Sequence, residues 1–160
     1  MSSAPTRGDL TSEVLRIIHL AGGGEANLAR NFRQRAREFP TEIVSSGAAV
    51  ALASHYASSA VRAGDVSLSG EHHVTEILRL IRDGQSIDSL GGHDRERSHA
   101  LLAATILRLL EVSGIDLGDG SLEQVVSLLS EAWVEPLILE LARIMKVTAE
   151  AVIPPPGETE

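Results

Sequence analysis

The sequence predicts an all-α fold: a single compact helical bundle of about six or seven helices. Three observations point there. Hydrophobic residues make up 43% of the chain but aromatic residues only 2%, so the core is built from Leu, Ile, Val and Ala, whereas β-sandwiches and barrels favour aromatic and β-branched strands. Apolar residues recur at helical spacing, as Val74, Ile77, Leu78 and Ile81 do at i, i+3, i+4 and i+7. Glycine-marked short loops separate these segments, with no internal repeat and no low-complexity tract. At 160 residues the chain is long enough for one core and too short for two.

Residues 1–8 read as a disordered N-terminal lead, 9–153 as the helical bundle domain, and 154–160 as a Pro-rich, acidic C-terminal tail. Asp9 or Thr11 is the expected N-cap of a first helix over 10–20, which ends at Gly22-Gly23-Gly24. A second helix is predicted over 25–45. Pro40 either kinks it or begins a new segment, because proline lacks a backbone donor and clashes with the preceding turn. After Gly47 a helix over 48–63 is dense in Ala and Ser, and its small side chains suit close approach at the centre of the bundle.

Residues 64–70 form a turn, and HVTEILRLIRD makes the fourth helix. A loop over 84–92 precedes a helix over 94–112 that begins polar (DRERSH) and becomes apolar nearly all round (ALLAATILRLLEV), as a helix with a buried C-terminal half does. Ser121 caps a helix expected to run to Trp133. Pro136 opens or kinks a last long helix ending near Val152, and PPPGETE cannot continue it.

Cysteine is absent, which excludes disulfides, thiolate metal sites and a cysteine nucleophile. The leading MSSAPTRGDL has no apolar signal core, and no run approaches the ~18 apolar residues of a membrane span. The expectation is a cytoplasmic protein without membrane association. Residues 1–110 carry 12 Arg against 12 Asp and Glu, while 111–160 carry Arg143 and Lys146 against 10 acids. The net charge of −8 therefore sits in the last third, which excludes a diffuse basic surface but leaves room for a local basic face.

Such a face is legible in the second helix. At about 100° per residue, with Arg30 at zero, Arg37 falls at about 340° and Arg33 at about 300°, opposite Leu28, Phe32 and Phe39 at about 160–200°. Arg35, at about 140°, borders the buried side and is expected to pair with a carboxylate. Arginine suits phosphate because its planar fork donates two parallel hydrogen bonds while staying charged. Three arginines at i, i+3, i+7 cover about 10 Å of helix axis, enough to meet more than one phosphate. The plainer reading of the same stripe is a solvated polar face.

Other constellations are weaker. Of the six histidines, His72 and His73 are adjacent and diverge by about 100° on a helix. His93 and His99 are six apart, and no H-E-x-x-H motif appears. Neither a metal site nor a cofactor is expected. Gly22-Gly23-Gly24 lacks the Lys-Ser/Thr and the preceding strand of a phosphate loop. Asp116, Asp119 and Glu123 lack calcium-loop spacing. Asp94/Glu96 with His93/His99 offer acid and base groups but no neighbouring nucleophile or oxyanion site, so no catalytic residue is assigned.

Taken together, Ala36-Arg37-Glu38-Phe39-Pro40, the polar Ser45-Ser46, Gly47 and the apolar helix through Tyr56 resemble the signature region of the small all-helical subunit of type III CRISPR effector complexes, the Cmr-type small subunit family. The likeness covers about residues 26–60. LARIMKVTAEAV also looks like the family's closing helix, with Lys146 as the nearest counterpart of its basic residue.

The resemblance implies a non-catalytic subunit that stacks head to tail in several copies beside other effector subunits and supports the guide RNA–target RNA duplex in antiviral defence. RNA-contacting residues implied on this chain are Arg30, Arg33 and Arg37, with Arg143 and Lys146 on the closing helix. Two departures stand out. The C-terminal third is acidic and is expected to face protein or solvent, and the loops at 64–70 and 84–92 have no place on the family pattern. A helical protein–protein adaptor without RNA binding, or a metal-dependent helical enzyme using the histidines, are the other classes the sequence allows.

Overall fold

The computed structural model describes residues 5–63, 66–87 and 93–155. Among them are seven helices and one hairpin: α1 Arg7–Leu20, α2 Asn27–Ser46, α3 Ala48–Ser58, β1 Val61–Ala63, β2 Val66–Leu68, α4 Gly70–Asp83, α5 Asp94–Val112, α6 Leu122–Leu129 and α7 Val134–Val152. The fold is the all-α bundle that composition and periodicity predict.

Helix α1 starts earlier than expected because Thr6, not Asp9 or Thr11, is the cap. Thr6 Oγ1 accepts from the Asp9 amide at 3.0 Å and the Asp9 carboxylate accepts from the Thr6 amide at 2.9 Å, a reciprocal capping box. Arg7 and Gly8, assigned to the disordered lead, are therefore helical. Helix α2 runs through Pro40 as one helix and ends at Gly47, whose φ of 87° suits glycine. Helix α3 begins there, its first free amide taken by a distant acid: Ala48 N–H donates to Glu135 Oε1 of α7 at 2.7 Å.

The alanine-rich helix stops at Ser58, short of the expected 63. Val61 and Val66 belong instead to an antiparallel hairpin pairing Val61 with Leu68, which sequence reading had split between a helix and a turn. Where α4 crosses the end of α3, a Cβ on Gly70 would lie 1.6 Å from the Tyr56 carbonyl oxygen, so only glycine fits. Ser69 caps α4, and Val74, Ile77, Leu78 and Ile81 are all buried as their spacing predicts.

The axis of the bundle is α5. Every residue from Ser98 to Leu107 is buried, and α1, α2, α3, α4 and α7 all pack against it. The Ala/Ser-rich α3, expected at the centre, keeps an outer edge of exposed Val50, Ser54, Ala57 and Ser58. Tyr56 O–H donates to the Gly120 carbonyl at 2.9 Å, tying α3 to the turn before α6. Helix α6 ends at Leu129, and α7 begins at Val134 with Pro136 in its first turn, where a missing donor costs nothing. Helices α2 and α7 run antiparallel, since Arg37 meets Glu150 while the Ala48 amide meets Glu135. No helix among the described residues is long and apolar enough to cross a membrane.

Candidate nucleic-acid interface

The arginines of α2 do not form three exposed groups in a row. Arg37 is exposed, its side chain 61% accessible, and approaches Glu150 at only 3.9 Å. Arg30 is a quarter exposed and pairs with Glu25 at 3.5 Å. Arg33 is buried, with Nε and Nη1 lacking any hydrogen-bond partner. The wheel gave α2 one buried face, whereas α5 covers one side and α7 another. The antiparallel register sets Arg33, one turn before Arg37, toward the C-terminal end of α7. The expected solvent-facing stripe is thus corrected to Arg37 and part of Arg30.

Arg35 departs from expectation in the opposite sense. It forms no ion pair with any described residue, and its Nε is buried without a partner.

On α7, Arg143 is exposed and Lys146 partly so. At i, i+3 and i+7, Arg143, Lys146 and Glu150 follow one side of the helix, and Glu150 is the acid that Arg37 approaches. The structure therefore gathers Arg37, Lys146 and Arg143 along the outer α2–α7 surface. Arg143 also stands at the rim of an open groove of about 530 Å³ between α1 and α7, lined by Thr11, Pro136, Ile144 and Val147.

Ion pairing separates the cations into two sets. Arg7, Arg16, Arg30, Arg37, Arg79, Arg82, Arg97 and Arg108 each meet a carboxylate. Arg33, Arg35, Arg95, Arg143 and Lys146 meet none among the described residues. In a chain with 22 acids and 14 Lys and Arg, the solvent-accessible cations without an internal acid, which leaves out the buried Arg33, are the ones available to an outside anion.

A second cluster joins α2, α3 and α5. His55 Nε2 lies 2.7 Å from Glu42 Oε1, and His55 Nδ1 lies 2.9 Å from His99 Nδ1. A carboxylate only accepts, so the pattern assigns the proton to His55 Nε2. Of the two facing Nδ1 atoms one donates and the other accepts, according to the tautomer, and His99 Nε2 has no hydrogen-bond partner among the described residues. Phe39 meets His55 edge-on, ring centroids 5.4 Å apart. Burial, with Arg35, His55 and Arg95 nearby, pushes His99 down to about 4.

Sequence reading missed this relay: Glu42, His55 and His99 share no motif, and only the packing of three helices joins them.

The remaining candidates have structural roles. Gly22 and Gly23, with φ of 103° and 90°, make a helix-to-helix turn. Asp116 and Asp119 accept the amides of Gly118 and Ser121 at 2.9 and 3.0 Å, closing local turns. His73 Nδ1–H donates to the Ser59 carbonyl at 2.8 Å, and burial pushes its pKa down. No group of three or more His, Asp or Glu gathers in a metal-holding arrangement among the described residues. The loop over 88–92 lies outside the described residues.

No family model, no curated protein and no solved structure matches the chain.

Proposed function

We propose that the chain is a non-catalytic small subunit of a type III CRISPR ribonucleoprotein effector complex, stacking in several copies and supporting the guide RNA–target RNA duplex. The observation that carries the reading is the exposed cationic run on the α2–α7 surface. Arg143 and Lys146 have no internal acid partner and share a side of α7 with Glu150, the acid that Arg37 approaches, on a protein whose net charge is −8. Two or three guanidinium and ammonium groups per copy give weak, salt-sensitive RNA affinity, which becomes useful when copies are arrayed along one strand. The motif resemblance over Ala36 to Tyr56 supplies the family. It falls on the α2–Gly47–α3 corner, and its closing-helix counterpart is α7.

A second reading, a protein–protein adaptor, draws on one feature. Val44, Val50 and Trp133 are exposed large hydrophobics on the ends of α2, α3 and α7 that the Ala48–Glu135 hydrogen bond draws together, a composition suited to a protein contact.

Affinity purification of the tagged chain from its native host, with proteins identified and RNA sequenced, tests the two readings. Short RNAs sharing a repeat-derived end, together with larger effector subunits, are the expected yield. A protein partner without RNA would favour the adaptor.

A further inference from the structure

We propose that Arg35, Arg95 and His99 form a phosphate-binding site between α2 and the start of α5, with the Glu42–His55 pair behind it holding the His99 ring, and that its occupant is an RNA phosphodiester. Assigning the phosphate to RNA rests on the function proposed above; the phosphate chemistry does not.

The geometry comes from two helix faces. On α2, Arg35, Phe39 and Glu42 stand at i, i+4 and i+7 and share one side. Phe39 lies edge-on to His55 and Glu42 meets His55 Nε2, so Arg35 leads the face that looks onto the relay. On α5, Arg95 is one turn before His99. Arg35 and Arg95 thus each stand one turn before a ring of this cluster, Phe39 and His99, and neither has a carboxylate partner among the described residues. Arg95 is exposed and Arg35 half-buried, so the site opens to solvent on the Arg95 side.

A purely structural relay accounts for Glu42, His55 and His99 but not for the arginines. Had they served only to hold α2 and α5 together, acids would complete them, as they do for Arg82 and Arg108. The unused hydrogen-bonding capacity is two guanidinium forks and one imidazole nitrogen around one ring, which is the donor set for a tetrahedral oxyanion.

Protonation completes that set without rearrangement. In the tautomer with His99 Nδ1–H donating to His55 and His55 Nε2–H donating to Glu42, His99 Nε2 is the acceptor left open. A proton arriving at His99 Nε2 turns it into a third donor and leaves both relay bonds as they are. Arg35, Arg95 and His55 oppose that proton while the site is empty. Glu42 stands behind His55, and Glu96, one turn before His99 on α5, bears on His73. Of the titratable groups in the first turn of α4, His73 faces Ser59, Glu71 accepts from the Leu122 amide and His72 is exposed. A bound anion offsets the two arginine charges, so phosphate binding and His99 protonation favour each other.

The test is an NMR titration of the His99 imidazole in the full chain, without and with sulfate, AMP or a 12-nucleotide RNA. Sulfate serves as a tetrahedral anion that does not itself titrate. The expected result is a His99 pKa raised by about one pH unit, equivalent to about tenfold tighter binding to the protonated form. Arg35→Gln with Arg95→Gln abolishes the response, and Arg79→Gln, on the exposed side of α4, retains it. An unmoved His99 with all three anions, or a double variant that responds like the parent, overturns the site. A larger effect per phosphate from RNA than from AMP supports the strand as occupant, and the reverse overturns that assignment in favour of a free nucleotide.

Discussion

His55 Nδ1 lies 2.9 Å from His99 Nδ1, joining α3 to α5 across 44 residues of sequence. Glu42 fixes the far side of His55 at 2.7 Å, so three helices are tied by two hydrogen bonds through one ring.

That relay has a pH consequence. The folded-state pKa of His99, about 4, is depressed below the ordinary histidine value of 6.5 by burial and then by Arg35, His55 and Arg95. The unfolded chain therefore binds a proton at pH values where the folded chain does not. Stability is full above about pH 6.5, falls as pH drops toward 4, and levels below. His99→Gln should remove a loss on the order of 1–2 kcal/mol. Denaturant midpoints from pH 7.5 to 4 measure it. The buried His73, also pushed down by burial, contributes the acid sensitivity that persists in the variant.

Arg33→Met should stabilise the protein by about 1–3 kcal/mol. The substitution replaces a buried guanidinium having two unpartnered nitrogens with an apolar side chain of similar length, and uncompensated buried charge is costly. Thermal denaturation reads the gain. A drop in stability would mean that Arg33 meets an anion in the folded state.

Gly70→Ala should separate α4 from α3. The added Cβ meets the Tyr56 carbonyl oxygen at 1.6 Å, a backbone atom that cannot swing aside. A loss of at least about 2 kcal/mol is expected in urea unfolding, whereas Gly114→Ala meets no atom within 4 Å and carries only the backbone strain of φ 96°.

Phe32→Ala should cost about 3–5 kcal/mol, as expected for emptying a fully buried aromatic position. Phe32 lies on the apolar side of α2, so its midpoint shift measures how tightly the α2 arginine face is held.

The fold was largely legible because helical periodicity and glycine breaks are local signals. The stripe from Val74 to Ile81 and the bounds of α5 came directly from residue spacing. What stayed hidden depends on contacts distant in sequence. Thr6 displaced the expected cap through a box with Asp9. Val61 found a strand partner instead of extending α3. Arg33 lies on the polar arc of its wheel yet is buried, because a second helix covers that arc. Of the candidate interface, Arg37 was legible as a cation at helical spacing, whereas Arg143 and Lys146 came from the resemblance of the closing helix. The Arg35–His99 neighbourhood was not, since no spacing rule connects α2 to α5.

The central claim is that the α2–α7 cations hold RNA phosphate within an assembled complex. The most direct measurement compares RNA retained per complex, over increasing salt, for the parent chain and for Arg143→Ala with Lys146→Ala, both purified from the native host. The account predicts that the variant assembles with the same protein partners but releases RNA at lower salt, its log–log salt slope shallower by roughly 1 to 2. Equal retention and equal slope in complexes of the same composition would contradict it, as would a parent complex that carries no RNA.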